Sequence, residues 1–220
     1  MSKKIKQHPD EATLMSFAAG TLAEPLAAVV AAHAALCSRC RAELADLELL
    51  GAALLLGEAP ATNGEVSVTP RMAAARTQTA SEAPVPRQIA ADERLPAPIA
   101  QTYGLSFDTI PWKRLGPGVW HHRLPLTPGV EGDLRLLKIG PGREMPDHGH
   151  GGSELTLVLD GAFSDATGSY LPGDLQDVDE EQAHKPLADK VTGCICLIAS
   201  EKPARFKGLV GRLLQPLTGM

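Results

Sequence analysis

The sequence predicts a multidomain α + β chain, with a small all-α unit first, an all-β unit last and a linker between them. Three observations predict it. Residues 8 to about 57 are rich in Ala and Leu with few β-branched residues, a composition that favours helix. Residues 58 to about 100 change to Ala, Pro, Thr, Ser and Glu, with prolines at 60, 70, 84, 86, 96 and 98 and no sustained apolar period. Such a stretch reads as a linker. Beyond Tyr103, short apolar segments alternate with Gly-Pro turns at spacings of roughly 8–12 residues, the pattern of an all-β sandwich or barrel. The division is thus 1–100, counting the linker at about 58–100, and 101–220.

The helical unit divides into three. Asp10 to Ala19 predicts a short helix stopped by Gly20, because glycine adopts the left-handed conformation that closes helix ends. Thr21 with Glu24 three residues on has the form of a capping box, and Pro25 then falls in the first turn of a helix through Leu36, where its missing N–H costs nothing. After Cys37 to Cys40, a third helix is expected from about Arg41 to Leu56. Its Leu44, Leu47, Leu50 and Leu54 recur at spacings of three and four, a stripe large for so small a unit. In the linker, PRMAAARTQTA from Pro70 can form a helical turn or two. The strands expected in the second unit are WKRL, VWHHRL, DLRLLKI, ELTLVLDG, SYLPGD, GCICLIAS and ARFKG.

Composition excludes some functions. The chain has 220 residues, 44% of them hydrophobic and 21% charged, with a formal net charge of -5. Neutralising a phosphate backbone needs clustered Lys and Arg, so direct nucleic-acid binding is disfavoured. No apolar run reaches the roughly 18 residues of a membrane helix and the basic N-terminus has no apolar segment behind it, so a cytoplasmic protein with no membrane association is expected. The four cysteines form two close pairs, Cys37/Cys40 and Cys194/Cys196, which in that compartment suggests metal or redox chemistry before structural disulfides.

Two constellations carry metal-ligand chemistry. In the helical unit, His33 and Cys37 are four apart on one helix face and Cys40 follows across a tight turn. H-x3-C-x2-C supplies three ligands for a tetrahedral site, and thiolates favour zinc. His8 is the only other histidine or cysteine of that unit and is the expected fourth ligand. Four protein ligands make a closed, structural site. In the β unit, Gly142, His148, His150, Glu154 and Gly161 stand in the spacing G-x5-H-x-H-x3-E-x6-G. Alternation along a strand lets positions 148, 150 and 154 converge on one ion. His184 is the only histidine further on and is the expected fourth ligand of this second site, for which zinc is the expected metal, imidazole and carboxylate being donors that accept several divalent ions. His121 and His122 read as structural or surface residues. Cys194 and Cys196 share one strand face and read first as core packing, with a redox role as the alternative.

These motifs carry resemblances. The spacing around His148 to Gly161 resembles the first motif of the cupin family, a jelly-roll β-barrel that commonly holds a divalent metal, and the resemblance covers about 105–215. Pro172-Gly173-Asp174 supplies the turn of the second cupin motif, without the histidine two residues later. His8, His33, Cys37 and Cys40 resemble the ligands of the zinc-binding anti-sigma domain. A helical anti-sigma domain, a linker and a cupin domain in this order look like the ChrR family of anti-sigma factors, and AAGTLAEP, HGHGGSELTLVLDGAF and CICLIA extend the likeness. The resemblance implies a non-enzymatic regulator of transcription that forms a one-to-one complex with an extracytoplasmic-function sigma factor. It also implies that the helical domain suffices for inhibition and that the cupin domain senses singlet oxygen or organic hydroperoxide to trigger release. The competing reading is a cupin metalloenzyme of dioxygenase type with a helical appendage.

Overall fold

The structure, a computed structural model, describes residues 5–57, 94–145, 148–149, 152–179, 185–202 and 205–206. Helix α1 (Glu11–Ala18) starts where the Asp10 carboxylate accepts the Thr13 amide at 2.6 Å, satisfying one of the first turn's free N–H groups. Gly20, at φ +69°, turns the chain after it as expected. Helix α2 (Glu24–Leu36) has Pro25 in its first turn, but the expected capping box does not form. The Thr21 hydroxyl donates to the Ser16 carbonyl at the end of α1, while the Glu24 carboxylate accepts the Thr127 amide of the β unit at 2.8 Å. Thr21 therefore finishes one helix and does not start the next. Helix α3 (Ser38–Leu56) begins at Ser38 rather than near Arg41, takes Cys40 into its first turn and ends at Gly57 in the left-handed conformation.

The expected helical turn after Pro70 lies outside the described residues, as does most of the linker. The end of the linker is structured: residues 97–100 open helix α4 (Ala97–Tyr103), so this helix crosses the expected boundary at 100. Two prolines fit there because they occupy its cap and first turn. Leu95 and Ile99, each 1% exposed, tie it to the core, and its main helical neighbour is α2. Seven residues are too few to show a period, which is why composition alone suggested a linker.

The strands are β1 (Lys113–Gly116), β2 (Val119–Arg123), β3 (Asp133–Ile139), β4 (His148–Gly149), β5 (Glu154–Gly161), β6 (Phe163–Ser164), β7 (Ser169–Tyr170), β8 (Leu175–Val178), β9 (Leu187–Ala188), β10 (Cys194–Ser200) and β11 (Arg205–Phe206). All pairings are antiparallel. One sheet runs in the order β1-β2-β3-β10-β5-β8; smaller sheets join β7-β6-β9 and β11-β4. This is the helical region followed by an antiparallel β unit that the sequence predicted.

The large sheet is buried on both faces. On one, register aligns Leu136, Leu197, Leu157 and Leu175 across β3, β10, β5 and β8, each essentially inaccessible. They share one hydrophobic cluster with Leu14, Leu26, Val29, Val30 and Leu44 of the first three helices and with Leu95 and Ile99. On the other, the inner face turned away from the helices, which cover the outer one, Leu137, Ile139, Val158, Cys194 and Cys196 join Met145, Phe163, Tyr170 and Ala188 in a second cluster. Alternation along each strand sorts the two sets, and burial of both faces accounts for the near-continuous apolar runs LTLVL and CICLIA. Helix α2 is thus the cover of the sheet and not a separate body.

That shared core predicts joint unfolding. Leu26→Ala should cost about 2–5 kcal/mol. Both tryptophans, Trp112 and Trp120, lie in the β unit, so the expected result in a urea titration is a lower midpoint in tryptophan fluorescence as well as in helical circular dichroism. An unmoved fluorescence transition would mean that the helices and the sheet unfold independently.

Candidate metal centre

The four ligands expected in the helical unit come together. Cys37 is the shared residue between α2 and α3, its amide bonded to the His33 carbonyl at 2.8 Å, and Cys40 sits one turn into α3. His33 projects from the last turn of α2, and His8 precedes α1. His8 Nδ1 lies 3.5 Å from the Cys37 sulfur and 3.3 Å from the Cys40 sulfur. The His8 and His33 rings meet edge to face with centroids 5.6 Å apart. One ligand atom from each residue lies within 4.8 Å of the other three, and among the described residues no other group of His, Cys, Asp or Glu does this.

The local chemistry suits a metal. His33 is completely buried and its Nδ1 meets the Gly173 carbonyl at 3.0 Å. A carbonyl only accepts, so Nδ1 carries the proton and Nε2 presents a lone pair. Nε2 is buried with no hydrogen-bond partner, a cost of about 1–3 kcal/mol for a polar atom that nothing satisfies, and a bound ion would satisfy it. Burial, then neighbouring His8, depresses the His33 pKa to about 4. Burial followed by Arg39 lowers that of His8. Both rings are therefore neutral ligands at physiological pH. Burial, followed by the Cys37 sulfur beside it, pushes the Cys40 thiol up to about 12. Without a cation that thiol is protonated; with one, two sulfurs and two imidazole nitrogens match the tetrahedral donor set of structural zinc.

The second expected set is only partly within the described residues. Glu154, 6% exposed, opens β5 and shares its face with Thr156 and Val158 on the inner side of the sheet. His148 lies in β4, opposite Phe206 of β11, but its side chain lies outside the described residues, as do His150 and His184. His121 and His122 are half-buried on β2, and His121 Nδ1 lies 3.5 Å from the buried Arg135 guanidinium. Cys194 and Cys196 are buried free thiols with sulfurs 3.1 Å apart, packed in the inner core as expected. The Cys194 contact and full burial push the Cys196 thiol far above its ordinary value.

Sequence reasoning missed the residues of the β unit that hold the candidate ligands and the segment leading into α1. Gly173 and Asp174 registered only as a turn, and Asp177 not at all. Yet the Asp174 carboxylate accepts the Lys6 and Gln7 amides, and that of Asp177 accepts the Asp10 amide and the Thr13 hydroxyl. No local pattern marks them, because each acts on a segment far away in the chain.

The sequence and the fold both have counterparts. Residues 100–203 match the family model described as the ChrR cupin-like domain. The chain is 42% identical to the anti-sigma-E factor ChrR of Cereibacter sphaeroides over 212 residues, 96% of this chain and 97% of that protein. The crystal structure of Rhodobacter sphaeroides SigE in complex with the anti-sigma ChrR matches with a TM-score of 0.70 at 42% identity, over 90% of this chain and 100% of the matched one.

Loading the four-ligand centre must displace the Cys40 proton. Apparent zinc affinity should therefore rise with pH through the neutral range, and calorimetric titrations in buffers of different ionisation heat should show proton release. His33, neutral down to about pH 4, adds no dependence above that. A Cys37→Ser, Cys40→Ser double variant should lose both the zinc and the proton release.

Proposed function

The chain belongs to the ChrR family of anti-sigma factors, and from that premise we propose that it binds an extracytoplasmic-function sigma factor one to one and inhibits it, releasing it on oxidative stress. The observation that carries the binding half is the exposed end of α3. Leu44 is buried and Leu47 half-buried, but Leu50 and Leu54 of the same stripe are 43% and 68% exposed, with Leu49, Leu55 and Leu56 also open. A helix that points its apolar residues at solvent, on a unit whose core is already satisfied, suits a helix-in-groove contact. The related structure of an anti-sigma factor with its sigma factor supports that partner.

Zinc at His8, His33, Cys37 and Cys40 is then structural. It fixes α2 against α3 and so fixes the direction in which the leucines project. The working division is a helical inhibitory part, 1–100, and a cupin part, 101–220. The cupin part acts as the sensor of singlet oxygen or organic hydroperoxide, through a second metal held by His148, His150, Glu154 and His184. The chain is a regulator and not an enzyme, in keeping with its anti-sigma relative. Its place of action is the cytoplasm, with its sigma factor; no helix among the described residues is long and apolar enough to cross a membrane.

Co-expression with the sigma factor tests the binding half. Leu50→Asp and Leu54→Asp should leave helical circular dichroism unchanged, since exposed positions usually shift stability by no more than about 0.5 kcal/mol, and should abolish co-purification. Persistence of the complex in both variants would remove α3 as the contact. For the sensing half, Glu154→Gln should leave inhibition of a sigma-dependent reporter intact and blunt its induction by singlet oxygen or hydroperoxide. A reporter already active before stress would contradict the division of labour.

A further inference from the structure

The metal centre does not belong to the helical unit alone. Two of its four ligands are positioned by one turn of the β unit, residues 171–174 between β7 and β8. The Gly173 carbonyl accepts the His33 Nδ1 proton at 3.0 Å. The adjoining Asp174 side chain, 2% exposed, accepts the Lys6 and Gln7 amides at 2.7 and 3.1 Å through Oδ1 and the Leu171 amide at 2.9 Å through Oδ2. The Gln7 carbonyl in turn accepts the Leu175 amide at 3.2 Å. Residues 6 and 7 are thus strapped along the start of β8, immediately before His8. Gly173 permits this approach: it sits at φ +93°, and a Cβ there would come within 2.8 Å of the Ile5 side chain. By contrast, Cys37 and Cys40 are held by the junction of α2 and α3.

We propose that the Gly173–Asp174 turn is the outer shell of the four-ligand metal centre, so that metal binding and docking of the helical unit on the sheet are one linked equilibrium. The proposal rests on the metal reading of His8, His33, Cys37 and Cys40. Its physical basis is reciprocity. A carbonyl that fixes the tautomer of a ligating histidine, and a carboxylate that fixes the segment before another, favour the metal-binding geometry only while the units are docked. The ion, by aligning the same two ligands, must favour docking by the same factor. The β unit thereby gains a direct mechanical hold on the metal centre that orients α3, without a hinge or a transmitting helix between them.

The test uses the full-length protein with cobalt(II) as the probe, whose thiolate charge-transfer band reports only a cysteine-ligated site. Asp174→Ala should bind cobalt about 10–100-fold more weakly than wild type, the usual effect of losing an outer-shell partner. Asp174→Asn, which keeps one acceptor oxygen, should recover part of that loss. Hydrogen exchange on the wild type needs no variant: stripping the metal should accelerate exchange at Lys6, Gln7 and Leu175, while the amides of the paired centre of β5 and β10 stay protected. Cobalt affinity in Asp174→Ala within twofold of wild type, or exchange at Leu175 indifferent to metal, would overturn the linkage. A band absent from wild type, or one that survives the double change of Cys37 and Cys40 to Ser, would instead overturn the metal reading beneath it.

Discussion

Everything in this molecule depends on the burial of the outer face of the large sheet. A row of leucines crosses four strands there, and an apolar surface of that size is not left in water by a stable monomer. Helix α2 covers it, with α4 beside it, and the hydrophobic effect that drives this burial is non-directional. Direction comes from the edges of the contact, where Glu24 accepts the Thr127 amide and Asp174 and Asp177 accept amides of the segment before α1. Apolar area supplies the adhesion, and carboxylates at its edge, Asp174 fully buried and the other two partly so, fix the register.

The metal centre lies at the rim of this contact. Its donor set is that of a structural zinc site, closed to substrate. Its importance is geometric: α2 and α3 meet at Cys37, so an ion joining Cys37 and Cys40 to His33 and His8 would set the angle at which α3 leaves α2. The exposed leucines at the far end of α3 are aimed by that angle. In the proposed function, the exposed leucines, the metal and the sheet would be consecutive links of one mechanical chain.

This arrangement gives the sensing half of the proposed function a short path. A perturbation inside the β unit that displaced the turn before β8 would reach His33 through a single hydrogen bond. The inner-face Glu154 lies on β5, which pairs directly with β8, and the buried thiols of Cys194 and Cys196 lie on β10, the next strand beyond β5. Distances of this kind need no long pathway, only a packed interface with two discrete arrangements.

Wherever a feature is local, the sequence by itself determined it. Short apolar segments between Gly-Pro turns marked the strands, Ala and Leu composition marked the helices, Gly20 and Pro25 marked their ends, and H-x3-C-x2-C marked three ligands of the candidate metal centre, because helical spacing and a tight turn bring them near one another, while His8 followed as the remaining histidine of the unit. The spacing G-x5-H-x-H-x3-E-x6-G was legible as well, and of its residues Glu154 is buried on the inner face. What only the tertiary structure decided involves pairs distant in the chain. Thr21 and Glu24 form a capping box on paper, yet each is bound elsewhere, since a side chain takes the partner that packing presents. Residues 97–100 read as linker because a seven-residue helix shows no period, and tertiary burial of Leu95 and Ile99 makes it a helix. The leucine stripe of α3 gave no sign of where burial stops, since exposure depends on what α3 packs against. The hold of Gly173 and Asp174 on the metal ligands had no signature at all: 140 residues separate His33 from Gly173, and only the folding of the helical unit onto the sheet brings them together.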